Sequence, residues 1–422
     1  MSESRRLFWE GWVFVCIILM FTVLLWQPST GSGLNLFDAF LSLPALLVLA
    51  PLIVNKGLLT REFLCSLAPL LLYVVFSLLS LLWADGPDSS KVVRGAAQVL
   101  ALFVFFSYLY RSGEEALLRR GLFVACCLTA AISFWHLYVF YGIVGKPFSA
   151  VLYAGAAEAR LNEVGVDPVN AMLATLIIAP QAAMLVGLLI DEKKQAYRLL
   201  GLVALLVLVA YLVALERRTA QVALFATLFA CLILYRNRFW LSVFGGFLVV
   251  GGLVVFMFPE TILSRGLSWR PDIWISTLAS ISDAPIIGHG ITNTVVPVVV
   301  SDDSGKVLGE FRHPHNMALS VTYNLGVVGL VLWVLLWLPG LLVKMFRNSE
   351  KKRDAYIILP MVAGSVALMF DGGVALSPLH YYWFCFWIPA LLILAHPGTG
   401  QYFLTVLRAG SGKLSTSLSA SK

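Results

Sequence analysis

Long apolar runs separated by short polar segments occupy almost the whole chain. Each run is close to the roughly 20 residues that a helix needs to cross the hydrocarbon core of a bilayer. The runs are continuous and do not alternate every second residue, which excludes a membrane β-barrel. The pattern predicts an all-α polytopic membrane protein with about twelve transmembrane helices, at residues 9–27, 36–54, 63–83, 93–110, 121–141, 168–190, 199–215, 219–235, 239–258, 317–343, 355–370 and 380–395.

Composition supports this fold class. Of the 422 residues, 59% are hydrophobic and 13% are charged, whereas soluble domains carry about a quarter charged residues. The first apolar run lacks a small-residue cleavage site, so we interpret it as a retained span and not as a secretion signal. The six cysteines lie in or beside apolar runs and imply neither a disulfide framework nor a thiolate metal site. We expect a single transmembrane domain, 1–422, with a disordered cytoplasmic tail over 411–422.

The distribution of charge predicts the orientation. With a cytoplasmic N-terminus, most of the 30 lysines and arginines fall on the inner side, as the positive-inside rule requires. The net charge of +7 does not indicate nucleic-acid binding, because no soluble basic domain is present. Residues 259–316, between the ninth and tenth spans, are predicted to form one large periplasmic loop with short amphipathic helices.

A His-Pro-His-Asn sequence lies where this loop meets the tenth span. Pro314 is expected to begin the helix, which would place His315 in its first turn. A neutral imidazole is the usual general base near neutral pH, so either His313 or His315 is a candidate. The alternative is that both histidines and Asn316 anchor a helix end at the membrane interface, and spacing alone leaves the two interpretations balanced. A metal site is less expected, since no carboxylate cluster of ligand spacing lies nearby.

Two adjacent arginines, Arg217 and Arg218, follow Glu216 between two apolar runs with almost no loop. Arginines on the outer side are exceptions to the positive-inside rule, and this position is unfavourable unless an anion binds there. A planar guanidinium can hold two phosphate oxygens at once. The alternative is that Glu216 pairs with one arginine while the other extends to lipid headgroups.

Other polar residues lie near the same boundary. Arg265 and Arg270 lie just before or at the start of a predicted amphipathic helix that begins near Pro271, and such residues are more often structural anchors than ligands. Asp371 and His380 flank the outer turn between the last two spans. They would line the same cavity, although ordinary solvation of a loop also explains them.

The order of these motifs resembles a known family. His315-Asn316 followed by Gly326-x-x-Gly329 is similar to the motif of bacterial O-antigen ligases, a group that also includes O-antigen polymerases and protein O-oligosaccharyltransferases. One departure is that Leu330 and Val331 follow Gly329, where the family often has Gly-Thr-Gly.

Two further segments carry the resemblance. The stretch from Arg270 through Asp-Ala-Pro and Gly-His-Gly resembles the family's large outer loop. Arg218, before a small residue, resembles the arginine that follows the family's seventh span. The expected topology, with twelve spans and both ends inside, extends the agreement over most of the chain.

The resemblance implies a membrane glycosyltransferase of GT-C-like architecture in the bacterial inner membrane, with its active site facing the periplasm. It would transfer a glycan from undecaprenyl pyrophosphate to a sugar hydroxyl of the lipid A-core oligosaccharide in lipopolysaccharide biosynthesis. The reaction would be inverting, without metal or cofactor, with His315 as base and arginines on the pyrophosphate. The implied catalytic residues are His315, His313, Arg270 and Arg218, and the implied substrate-binding residues are Arg265, Arg217, Arg312 and Asn316.

Alternatives remain at this point. Within the family, an O-antigen polymerase or a protein O-oligosaccharyltransferase has the same fold and chemistry. A transporter or flippase of twelve spans is less expected, because it would place functional charges near the bilayer midplane and not at its outer edge. In every case membrane lipids are partners and nucleic acid is not.

Overall fold

The computed structural model describes residues 3–26, 30–85, 88–153, 171–257, 269–291, 298–301, 307–311, 313–346, 354–373 and 376–419. The α-helices in these ranges are α1 (Glu3–Trp26), α2 (Thr30–Phe37), α3 (Ala50–Asn55), α4 (Arg61–Leu79), α5 (Ser89–Arg111), α6 (Glu115–Leu137), α7 (Ala171–Asp191), α8 (Gln195–Ala214), α9 (Arg218–Tyr235), α10 (Arg238–Met257), α11 (Arg270–Ile281), α12 (Met317–Phe346), α13 (Ala355–Asp371), α14 (Ile388–Ala395) and α15 (Pro397–Ser419). Short π-helical segments lie at Asp38–Ser42, Ala45–Leu49, Tyr138–Ile143 and Trp383–Trp387.

The predicted spans all coincide with helical structure, and the protein is a multi-pass membrane protein. Within the described ranges, nine helices are long and apolar enough to cross a membrane, or ten if a pair bent by 69° at Ala395–Pro397 is one span. Two shorter apolar helices, Arg238–Leu253 and Ala355–Asp371, lie at the positions of the ninth and eleventh predicted spans. Nine to ten spans are therefore supported, and the count of twelve stays a prediction.

The core of the bundle lies around α7 and α13. In the most apolar stretch of α7, 83% of the residues are buried. Helix α13 is buried along nearly its whole length. A Cβ added at Gly364 would overlap the backbone of Cys385, so α13 packs directly against the last apolar segment. Helix α13 packs against both α7 and α9. The end of α13 and the beginning of α9 therefore lie at the same face of the bundle.

The predicted loop over 259–316 contains both helix and strand. Its one described helix is α11, which buries Ile273, Thr277 and Ile281 on a single face. Strands β1 (Val298–Ser301) and β2 (Val307–Phe311) then form an antiparallel hairpin with Val298 opposite Phe311. Only helices were expected in this loop, so the hairpin was not predicted, while the apolar spans in the described ranges are helical as predicted. The valine-rich run of β1 favours a strand because β-branched side chains fit an extended backbone.

The tenth predicted span is broken in its first half. Gly326 in α12 has φ +65° and ψ −168°, a backbone conformation that is accessible essentially to glycine alone. The break leaves backbone carbonyl and N–H groups on both sides without helical partners. Inside a membrane protein such groups must find other protein partners, because no water is available in the hydrocarbon core.

The turn that follows α11 supplies those partners. Gly288 lies so close to the break that a Cβ there would meet the backbone N of Gly326 at 2.5 Å. Four backbone hydrogen bonds join the two segments: His289 N–H to Tyr323 O (2.9 Å), Gly290 N–H to Asn324 O (2.8 Å), Val327 N–H to Pro285 O (2.9 Å) and Val328 N–H to Ile286 O (3.2 Å). The Gly-His-Gly stretch and the broken helix therefore form one structural unit, which fixes α11 against α12.

The last described segment is helical. Helix α15 extends to Ser419, and disorder over 411–422 stays a prediction.

We predict that Gly326→Ala destabilises the fold. The new Cβ would overlap the carbonyl oxygen of Ile286, and the backbone conformation alone costs about 1–3 kcal/mol for a residue other than glycine. Thermal unfolding in detergent should begin several degrees lower than in the unchanged protein. Gly246→Ala in α10 is the matched control, because nothing lies within 4 Å of its added Cβ and the helix tolerates alanine better than glycine. Equal melting temperatures for the two variants would contradict this account of the break.

Candidate active site

A cavity of about 240 Å³ lies at one face of the bundle, where α9 begins and α13 ends. Its walls come from five separate parts of the chain: the beginning of α7, the turn before α9 with the first residues of α9, the first turn of α11, the segment before α12 with the end of β2, and the last residue of α13. The lining residues are Met172, Glu216, Arg217, Arg218, Thr219, Arg270, Ile273, Phe311, His315 and Asp371.

The carboxylate of Asp371 is the centre of this site. Its side chain is only 6% exposed. The guanidinium of Arg270 donates to Oδ1 at 2.9 Å, and the hydroxyl of Thr219 donates to Oδ2. A second N–H of Arg270 donates to the carbonyl of Phe370 at 3.1 Å. Since a buried carboxylate is unfavourable without charged and hydrogen-bonded partners, these contacts hold the ends of α9, α11 and α13 together.

His315 lies beside this carboxylate. Its Nδ1 is 3.7 Å from Asp371 Oδ1, and no hydrogen bond to this buried nitrogen is formed by the described residues. The backbone of His315 has φ +51°. Residues other than glycine rarely adopt this left-handed conformation, and when they do they are frequently found at functional sites.

The beginning of the tenth span differs from the prediction. Helix α12 begins at Met317, so His315 lies before the helix and not in its first turn. Asn316 is the capping residue: its Oδ1 accepts the N–H of Leu319 at 3.1 Å, and its amide donates to the carbonyl of Met369 at 3.1 Å. Asparagine is among the best helix N-caps, which explains why the helix begins at Met317, directly after Asn316, and not at Pro314. Both ends of the Asn316 amide are thus used within the fold.

His313 lies behind His315 and does not line the cavity. The two imidazole rings are 4.1 Å apart, and His313 Nδ1 accepts the backbone N–H of His315 at 3.3 Å. Burial, with a smaller contribution from the charge of His315, lowers the pKa of His313 to about 4. His313 is therefore neutral near pH 7 and supports the position of its neighbour.

The arginines predicted from sequence are partly brought together. Arg217 caps the beginning of α9 and is exposed, while Arg218 is half-buried and Arg270 is 23% exposed. All three line the cavity. Three guanidinium groups thus face two carboxylates, Glu216 and Asp371, which leaves the site positive when His315 is neutral. Arg265 and Arg312 lie outside the described residues.

Sequence reasoning gave no site role to Thr219 and too little weight to Asp371. Asp371 was named only as a residue that would line the cavity. The available signal was an acidic side chain directly after the long apolar run of α13, a position where burial demands a partner. Thr219 carried no such signal, because a threonine after two arginines also reads as an ordinary helix residue.

A second, mostly apolar cavity of about 510 Å³ adjoins this site. It lies between the end of α6 with its π-helical continuation and the end of α8, and Glu216 lines both cavities. Several of its side chains are strongly exposed at the outer surface of the bundle, including Phe134 (58%), Phe148 (89%) and Val213 (67%). Glu216 is therefore shared by a polar, positively charged cavity and an apolar cavity whose lining is exposed at the side of the bundle.

Similarity to known proteins is consistent with this geometry. Residues 201–334 match the family model described as O-Antigen ligase, a range that includes Arg217, Arg218, Arg270 and His315. Over 352 residues the chain is 28% identical to an O-antigen ligase of Pseudomonas aeruginosa, covering 78% of this chain and 82% of the relative. The resemblance to O-antigen ligases is thereby confirmed, with the family model matching residues 201–334.

Proposed function

We propose that the protein is an O-antigen ligase of the bacterial inner membrane, with its active site on the periplasmic face. It transfers a glycan from undecaprenyl pyrophosphate to a sugar hydroxyl of the lipid A-core oligosaccharide. One observation carries this proposal: arginines from two distant segments of the matched range 201–334 meet His315 of the same range, and the buried carboxylate of Asp371 beyond it, around a single cavity.

The arginines suit a lipid-linked pyrophosphate. Arg217 and Arg218 lie at the N-terminal end of α9, where free backbone N–H groups also favour an anion. Arg270 has two of its N–H groups on Asp371 and Phe370, so only its remaining donors are available to a phosphate. Arg217, Arg218 and these remaining donors of Arg270 are the pyrophosphate ligands in this proposal. Stabilising charge that develops on a leaving group typically contributes two to three orders of magnitude in rate.

His315 is the proposed general base. A proton on Nδ1, directed at the Asp371 carboxylate, leaves Nε2 to accept the proton of the acceptor hydroxyl. The hydroxyl oxygen forms a bond to the anomeric carbon, and the bond from that carbon to the phosphate oxygen breaks. The electron pair leaves with the pyrophosphate, and the configuration at the anomeric carbon inverts. Asp371 touches His315 and Arg270 rather than the substrate, so it acts as a positioning residue.

The adjoining apolar cavity fits the lipid portion of such a donor. A polyprenyl pyrophosphate has a charged head and a long apolar chain, and the two cavities joined at Glu216 offer one environment for each. The aromatic side chains Tyr138, Tyr141 and Phe148 line the apolar part. Because this part is exposed at the side of the bundle, the polyprenyl chain can stay in the bilayer while its pyrophosphate lies in the polar cavity.

The proposed reaction predicts that His315→Asn abolishes most transfer. Asparagine tolerates the left-handed backbone at this position but cannot accept a proton, so the rate should fall by about 10²- to 10⁴-fold. The measurement is glycan transfer by purified protein from undecaprenyl-pyrophosphate-linked glycan to rough lipopolysaccharide, with a chelator present because metal independence is expected.

The matched control for this assay is His289→Asn. His289 lies in the turn after α11, stacks on Tyr323 and does not line the cavity, so transfer should persist. Normal transfer by His315→Asn would refute the assignment of the base. Loss of all turnover on chelation in the unchanged protein would refute metal independence.

The two histidines are distinguished by the pH dependence of the reaction. Because the pKa of His313 is lowered to about 4, this residue stays neutral and takes up no proton as the pH falls from 7 to 5. The acid limb of kcat/KM in this range should therefore keep its midpoint in His313→Gln, even if the absolute rate changes. A limb that disappears or moves by a full pH unit in this variant would show that His313 takes up a proton in this range, and would contradict its assignment as a neutral residue.

A further inference from the structure

A third cavity, of about 530 Å³, lies at the opposite end of the bundle from the candidate active site. Helices α6 and α8 begin at this cavity and end at the apolar cavity beside Glu216. Because a helix of about 20 residues is about 30 Å long, the two ends are one bilayer thickness apart. The lining residues are Phe14, Ala116, Arg119, Arg120, Phe123, Val124, Leu188, Asp191, Glu192, Lys194 and Tyr197.

One side of this cavity is apolar and open to the surroundings of the helices. The rings of Phe123 and Tyr197 lie 5.7 Å apart and connect α6 with α8. The outer face of α8 next to Tyr197 is exposed, with Leu200 at 52% and Val203 at 52%. In a membrane protein such a face contacts acyl chains, so the cavity is continuous with the lipid phase.

The other side of the cavity carries charges of both signs. Arg119 is held inside the fold, because it pairs with Asp191 at 3.3 Å and lies 4.9 Å over the ring of Tyr356. Arg120 and Lys194 are exposed, and the ammonium of Lys194 lies 5.5 Å from the ring centre of Tyr197. Two cationic groups are thus presented at the border between the charged and the apolar side.

Glu192 adds a carboxylate at the same border. Its Oε1 accepts the backbone N–H of Lys194 at 2.8 Å, which fixes the side chain in the turn between α7 and α8. This arrangement leaves its second oxygen available to another donor. Basic pockets between transmembrane helices commonly bind phospholipid headgroups, but a purely anionic headgroup would be repelled by the carboxylate here.

We propose that this cavity binds one molecule of phosphatidylethanolamine. Arg120 and Lys194 contact its phosphate, Glu192 accepts from its ammonium group, and an acyl chain lies along Phe123 and Tyr197. The zwitterionic headgroup matches the mixed charge of the lining, and the acyl chain matches the apolar side. A free phosphate would leave the apolar side uncovered. The inference rests on the membrane-spanning fold and is independent of the proposed reaction, because binding is measured without turnover.

The first test compares two double variants that remove the same charge. Delipidated protein in detergent is titrated with phosphatidylethanolamine, and the apparent Kd is taken from the saturable rise in melting temperature. Arg120→Gln/Lys194→Gln should weaken this Kd at least about tenfold, since two charge-assisted hydrogen bonds are lost. Lys193→Gln/Arg198→Gln removes two neighbouring charges that do not line the cavity, and should leave the Kd within about twofold.

Several results would overturn the proposal. Equal weakening in both double variants would mean that general surface charge, and not this cavity, attracts lipid. Phosphatidylglycerol that stabilises the unchanged protein as well as phosphatidylethanolamine does would exclude a role for the carboxylate. Melting temperatures measured without lipid show whether either variant is misfolded. If the double variant is misfolded, the single variant Arg120→Gln replaces it, and its apparent Kd for phosphatidylethanolamine should also be weaker.

A second test addresses the ammonium group. Phosphatidylcholine has the same charges but no N–H to donate, so the unchanged protein should bind it more weakly than phosphatidylethanolamine. In Glu192→Gln this preference should shrink to within about twofold, because the charged acceptor is gone. An unchanged preference in Glu192→Gln would contradict the assignment of Glu192.

Discussion

The buried carboxylate of Asp371 is the contact on which the rest of the candidate site depends. It is bonded by Thr219 at the beginning of α9 and by Arg270 at the beginning of α11, and it lies 3.7 Å from the imidazole of His315 before α12. A carboxylate removed from water is stable only with such partners. The same contacts that satisfy it therefore bring the candidate base and the anion-binding arginines to one cavity.

The break in α12 at Gly326 makes this arrangement possible. Without it, the turn after α11 would have no free backbone groups to bind. Helix α11 would then be attached to the bundle mainly near its beginning, through Arg270, Trp274 and the small cluster around Ile273. The four backbone hydrogen bonds across the break fix α11, and with it Arg270, relative to the residues that precede α12. The spacing between His315 and Gly326 thus has a structural reason. His315 supplies the candidate base, and the break at Gly326 holds the segment that carries Arg270.

Much of the fold and part of the site were predictable from the sequence. Apolar runs of membrane-spanning length located the helices, since burying backbone in lipid leaves few other solutions. The family resemblance implied that Arg217, Arg218, Arg270 and His315 share one site, and in the structure they line one cavity. The left-handed conformation of His315 and the partners of Asp371 were not predictable, because they depend on contacts between residues distant in sequence. The cap formed by Asn316 is local, and it was missed because Pro314 also favours the start of a helix. The hairpin of β1 and β2 was missed because a short valine-rich run resembles a membrane-facing segment as much as a strand.

The central claim is that Asp371 and His315 act as one unit in transfer. The most direct measurement is a double-mutant cycle on kcat/KM with Asp371→Asn, His315→Asn and the variant that carries both changes. If Asp371 acts through His315, the double variant should be no slower than His315→Asn by more than a few fold, because the losses of coupled residues do not add. Losses that multiply in the double variant would show that the carboxylate and the imidazole act independently, and would contradict the account.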